Sequence, residues 1–181
     1  MTNAAKLRLP LVGWDGKDMS VVRDLAEVLN ADEVTLDALA ALCVDDDAGV
    51  VTGSTWLVHH LLQGERGRHL SSTASATLLQ ALATLPWQGQ LHVLQSFDRV
   101  VVDASLQDDV LQDVWTMCDA DNKLVRAWAL FALHQLATQF ADLRDMATGR
   151  LQAAFATETG AVKVRARKAL EAGFADGETQ T

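Results

Sequence analysis

The chain has 181 residues, enough for one domain with a substantial core and short for two. Hydrophobic residues make up 49% and charged residues 22%, which excludes an intrinsically disordered chain. With 24 acidic against 15 basic residues and a net charge of -9, the surface opposes non-specific adhesion to nucleic acid or to an anionic membrane.

Tyr is absent, Pro occurs only at positions 10 and 86, and Ala and Leu dominate, so the composition favours helix over strand. Cys43 and Cys118 fall far apart in expected helices and read as buried free thiols of a reducing compartment. The first residues lack a long apolar stretch with a cleavage site, so no signal peptide is expected. No apolar run approaches the ~18–20 residues of a membrane span, and a cytoplasmic location without a membrane partner is expected.

In chain order, residues 1–17 carry Pro10, Gly13 and Gly16 and read as an irregular lead-in. A helix follows over 18–31, opened by Asp18 or Ser20. Asp32 caps the next, which runs to about Val44; Asp45 to Asp47 form a polar turn; another helix covers about 48–63. Gly64 to Gly67 mark a loop, and Ser71 or Ser72 caps a helix ending at Leu85. Pro86 suits the first turn of a helix reaching Val102, because its missing N–H costs nothing there. Ser105 with Asp108 resembles a capping box before residues 106–118, and Asp121 or Asn122 opens a long helix to about 140. Helices near 143–157 and 161–174 complete the fold, and 178–181 reads as a frayed tail.

The predicted helices pair across short turns, giving hairpins over 32–64, 71–102, 104–140 and 143–174, with 18–31 as an unpaired cap. Their second members open near Ala48, Trp87, Asn122 and Ala161, at intervals of about 39, 35 and 39 residues, within the range of two-helix repeats.

Asp121, Val125, Arg126, Ala129, Ala132 and Leu133 stand at the spacing that opens a HEAT second helix, and Val164, Arg165, Ala169 and Leu170 form a poorer copy. On these residues the chain resembles the HEAT-repeat (armadillo-like) family. The resemblance covers about residues 104–174 and extends over 32–100 by spacing alone; there, Thr52 and Leu91 stand near the arginine position. It implies an all-α fold, a short right-handed α-α solenoid of about four hairpins plus an N-terminal helix. Residues 1–177 would form one domain, and second helices would line a concave face. It also implies a structural ladder of a turn Asp and a second-helix Arg, matched by Asp121 and Arg126, with Arg165 matching the Arg half.

Helical projection places Trp56 among Thr52, His59, His60 and Gln63, opposite an apolar side of Val50, Leu57, Val58, Leu61 and Leu62. A large aromatic in a polar stripe suits a binding hot spot, although packing on an adjacent repeat would also explain it. Gln88, His92, Gln95 and Arg99 share a stripe on the next second helix; Ala127, Phe131, His134, Gln135 and Thr138 share one on the following. Stacked side by side, these stripes would make a concave groove with Trp56 and Phe131 as anchors.

His59 and His60 are adjacent and point about 100° apart, which is not a chelating spacing; no metal or cofactor is expected. The carboxylates of Asp108, Asp109, Asp113, Asp119 and Asp121 read as a solvated, helix-bracketing cluster. Lys163, Arg165, Arg167 and Lys168 read as the polar outer face of a terminal repeat, or as a dock for an acidic partner. Together these features point to a non-enzymatic scaffold holding a protein or peptide partner, with self-association of the acidic middle and basic end as an open alternative. The family also includes DNA-alkylation repair glycosylases, an enzymatic alternative that the net charge disfavours.

Overall fold

The computed structural model describes residues 3–64 and 68–174; of the loop expected at 64–67, Gly64 ends a helix and 65–67 lie outside the described residues, as does the tail expected at 178–181. Among the described residues all regular structure is helical, and no helix is long and apolar enough to cross a membrane. The chain divides into two compact units, Met1–Val110 and Leu111–Thr181.

The first unit opens differently from the expected irregular lead-in. Helix α1 spans Asn3–Arg8, and a 3-10 turn follows at Leu9–Leu11. Pro10 occupies the first turn of that element, where a proline is tolerated, so the residue read as a breaker is a starter. Leu11 is fully buried, and the reason lies in α4 (Ala48–Gly64). Gly49 and Gly53, one turn apart, leave that face of the helix bare. A Cβ at Gly49 would stand 2.6 Å from the backbone N and O of Trp14, and one at Gly53 would meet the Leu11 side chain at 2.7 Å. Charge pins the same segment: Arg8 donates to both carboxylate oxygens of Asp45 at 2.7 and 3.0 Å, and Gly13 N–H donates to Asp47.

Helix α2 (Met19–Val28) is capped by Asp18, and α3 (Glu33–Ala41) by Asp32, which accepts from Thr35 N–H. Asp47 opens α4 by accepting from Gly49 and Val50 N–H. Ser71 caps α5 (Ser72–Ala81), its oxygen accepting from Ala74 N–H while its hydroxyl donates to Asp37 of α3 at 2.6 Å. Pro86 stands at the N-cap of α6 (Trp87–Gln95). That helix stops well short of Val102. Ser96 turns its hydroxyl back onto the His92 carbonyl, a side-chain bond that competes with helical pairing, and Phe97 drops fully into the core. The expected Ser105 capping box is replaced by Asp103, which accepts from both Ser105 N–H and its hydroxyl ahead of α7 (Gln107–Met117).

Helix α3 packs against both α1 and α5, α4 against both α2 and α6, and α3 and α4 pack on each other. Helix α2 packs against α4 and against the 3-10 turn at Leu9–Leu11. Leu36, Leu39, Leu57, Leu62, Leu78, Leu79, Leu82, Leu94 and Phe97 are essentially fully buried in this unit. Because α4 has neighbours on several sides, its buried surface includes Ser54 and Thr55 as well as its leucines and valines.

In the second unit Asn122 caps α8 (Lys123–Gln139), accepting from Leu124 and Val125 N–H. A 3-10 turn at Ala141–Leu143 leads into α9 (Arg144–Thr157), and α10 covers Gly160–Ala172. Helix α10 packs against α8 and α9, and α8 against α9. Ala129, Leu130, Leu133, Leu136, Ala137, Ala147, Leu151, Val162 and Ala166 are buried, the alanines letting backbones approach closely.

Candidate functional site

The expected binding residues fall on α4 and α6 in the first unit and on α8 in the second. In the first unit, Trp56 is half-buried and stacks on His60 one turn later, with ring centroids 4.6 Å apart and planes at 10°. His60 and Gln63 are exposed, so the stripe projected from the sequence is the open side of α4. His59 leaves that stripe and turns toward α6, where its ring lies 6.3 Å from that of His92 at 14°.

The hydroxyls of this seam decide which ring nitrogens carry hydrogen. Thr55 Oγ1 donates its one proton to the Thr52 carbonyl, so it accepts from His92 Nδ1–H at 3.1 Å. Ser96 Oγ likewise donates to the His92 carbonyl and accepts from His59 Nδ1–H at 2.9 Å. Burial pushes the His92 imidazole down to about 4, the nearby His59 adding to the effect. Burial lowers His59 as well, followed by the influence of His60, with Asp98 opposing. His92 and His59 thus tie α4 to α6 as neutral rings rather than standing free for a partner.

Gln88 and Gln95 are half-buried on α6. Arg99, expected at the end of that stripe, instead braces a loop: it donates to the Arg68 carbonyl at 3.3 Å and pairs with Asp98 at 3.1 Å, while its own carbonyl accepts from Leu70 N–H.

In the second unit, Phe131, His134 and Gln135 of α8 face α10 around a pocket of about 130 Å³, completed by Arg165, Lys168, Ala169 and Ala172. Arg165 lies over the Trp128 ring at 3.5 Å and near Phe131 at 5.6 Å, and the two rings meet edge to face at 5.4 Å. His134 Nε2–H donates to the Gly173 carbonyl at 2.7 Å, and its Nδ1 accepts from the Gln135 amide at 3.2 Å. Gly173 holds φ 61° and ψ -169°, a conformation open almost only to glycine, and this turns its carbonyl onto the histidine. Phe174 then stacks on the His134 ring at 5.0 Å.

Two members of this cluster, Trp128 and Phe174, escaped the sequence reading. Trp128 stands one turn before Phe131 and belongs to the same face. Phe174 follows the last helix. Arg165 stacks on Trp128, while Arg126 donates to the turn carbonyls of Ala120 and Asp121 and pairs with Glu158 at 3.4 Å.

Cys43 and Cys118 are both buried and unpaired by disulfide. Burial raises the first to about 12 and the second to about 11, which leaves neither as a nucleophile near neutral pH. Among the described residues, no three His, Cys, Asp or Glu side chains converge as a metal site would need. No family model, curated protein or solved structure matches the chain.

Proposed function

We propose that this chain is a non-enzymatic binding module, a HEAT-like solenoid of the right-handed α-α kind that holds a protein or peptide partner on the exposed faces of its second helices. The observation that carries the reading is Trp56, a large aromatic left half-buried in the open stripe of a helix whose other sides are covered. The neighbour pattern of α1 to α6, each helix packing on the one two places along, supports stacked hairpins. Two buried cysteines that form no disulfide fit a cytoplasmic setting.

Against the glycosylase alternative, the two arginines available for a basic channel are engaged, Arg99 with Asp98 and Arg126 with Glu158.

The test is affinity capture on the immobilised full chain, compared with Trp56→Ala and Phe131→Ala. Each variant is first checked for unchanged helical circular dichroism and cooperative unfolding. A partner bound by the parent and lost by the folded variants supports the reading. Undiminished capture by both variants would place binding elsewhere, and a gel shift with DNA at low salt would favour the enzymatic alternative.

A further inference from the structure

We propose that the pocket between α8 and α10 is a receptor for a carboxylate side chain, Asp or Glu, presented by an acidic segment of a protein partner. The inference rests on the binding-module reading and names the chemistry of one part of its partner.

Arg126, Arg150 and Arg167 of the same unit each hold a carboxylate, Glu158, Asp119 and Glu171 respectively, within 4.0 Å. Arg165 holds none among the described residues. Its contacts are the two aromatic rings, and Lys168 beside it is likewise without an anionic partner among the described residues. In a chain with so large an acidic excess, a half-buried guanidinium stacked on aromatic rings, sharing its pocket with a second cation and with no carboxylate among the described residues, is a site left open for an anion.

Geometry gives that anion a defined place. Stacking on Trp128 engages a face of the guanidinium and leaves its N–H edges for an in-plane acceptor, the arrangement in which Arg grips a carboxylate with two bonds. The ring contacts also restrict the side chain, so little further ordering is needed on binding. Burial lowers the pKa of Arg165, in keeping with a charge partly stripped of water and not compensated by a counter-ion. The pocket lining combines apolar groups (Phe131, Ala169, Ala172), polar ones (His134, Gln135) and the two cations.

Size narrows the occupant. A volume of about 130 Å³ is the share of about four liquid waters, and lies below the ~300 Å³ at which small-molecule pockets begin. It is sized for the end of one acidic side chain and is small for a whole nucleotide. The apolar lining residues Phe131, Ala169 and Ala172 favour aliphatic residues beside that side chain.

The experiment titrates the ¹⁵N-labelled full chain with three capped pentapeptides: Ala-Leu-Glu-Leu-Ala, the same peptide with Gln for Glu, and the same with phosphoserine. The readout is the Nε–Hε resonance of Arg165, assigned by its loss in Arg165→Gln. A saturable shift with the Glu peptide, at least tenfold weaker with the Gln peptide, supports the proposal. So does a loss of at least tenfold in affinity in Lys168→Gln, an exposed change that spares the ring stack. Equal shifts with Glu and Gln, no saturable shift, or indifference to Lys168→Gln would overturn it. Tighter binding of the phosphoserine peptide would reassign the site to phosphorylated partners. Asp176→Asn with Glu178→Gln tests the chain's own carboxylates; binding seen only in that variant would give the site to them and overturn the proposal. Failure here leaves Trp56-dependent capture untouched, so the two readings fail separately.

Discussion

Between pH 6.5 and 4.5 the protein should lose about 2–3 kcal/mol of stability, and His92 is the main cause. In the unfolded chain its imidazole takes up a proton near 6.5, whereas in the fold burial holds it unprotonated to about 4. Across that interval the unfolded state binds the extra proton, so each pH step of one favours unfolding by about 1.4 kcal/mol. The stabilisation is fully present above 6.5 and is lost as pH falls toward 4. His59 is lowered in the same direction and adds to the loss. The capping carboxylates Asp18, Asp32, Asp47 and Asp103 sit below their ordinary 3.8, so their contribution disappears only at still lower pH. The perturbation is His92→Gln, which removes the titrating ring and keeps an amide donor for Thr55. The assay is urea unfolding of parent and variant at pH 7.5, 6.5, 5.5 and 4.5. The parent should lose stability steadily over the last two steps, and the variant should lose about 2 kcal/mol less. A parent curve flat from pH 6.5 to 4.5, or a variant with the parent's slope, would refute the assignment of His92 as a buried neutral ring.

Gly49→Ala should destabilise the first unit by about 1–3 kcal/mol, because the added methyl meets the backbone of Trp14 and Leu11, which no side-chain rotation relieves. Gly149→Ala in α9, with nothing within 4 Å of the new Cβ, should instead stabilise by up to about 1 kcal/mol through helix propensity. Thermal or urea unfolding of the two variants side by side checks both signs. Cys43 and Cys118 should both resist a thiol reagent in the native protein near pH 8 and both react after unfolding, since burial hides them and raises their pKa values to about 12 and 11. Rapid labelling of either thiol in the folded chain would contradict that burial.

The residues that proved legible were those whose effect is local. Asp18, Asp32, Ser71 and Asn122 are caps because a short polar side chain can reach an N–H two or three residues away wherever the helix ends up. The open side of α4 was legible for a related reason, since the 3.6-residue period places Trp56, His60 and Gln63 together regardless of what packs opposite. The lead-in was not. Pro10, Gly13 and Gly16 are breakers by local rule, and only the bare surface at Gly49 and Gly53, some forty residues later, makes a seat for Leu11. The aromatic contact of Arg165 was illegible for the same reason. Its motif position suggested a ladder, while its contact is a ring on another helix.

By itself, the sequence determined that the chain is helical and which stretches begin its helices, because propensity, periodicity and capping act over a few residues. The tertiary structure alone decided what each polar side chain does. His59 and His92 became a neutral seam, Arg99 and Arg126 became braces, and Arg165 was left on an aromatic shelf with no described carboxylate in reach. Those outcomes depend on which helix lies opposite and how much water it removes. Burial and pairing across helices, unlike helix formation, are properties of neighbours distant in the chain.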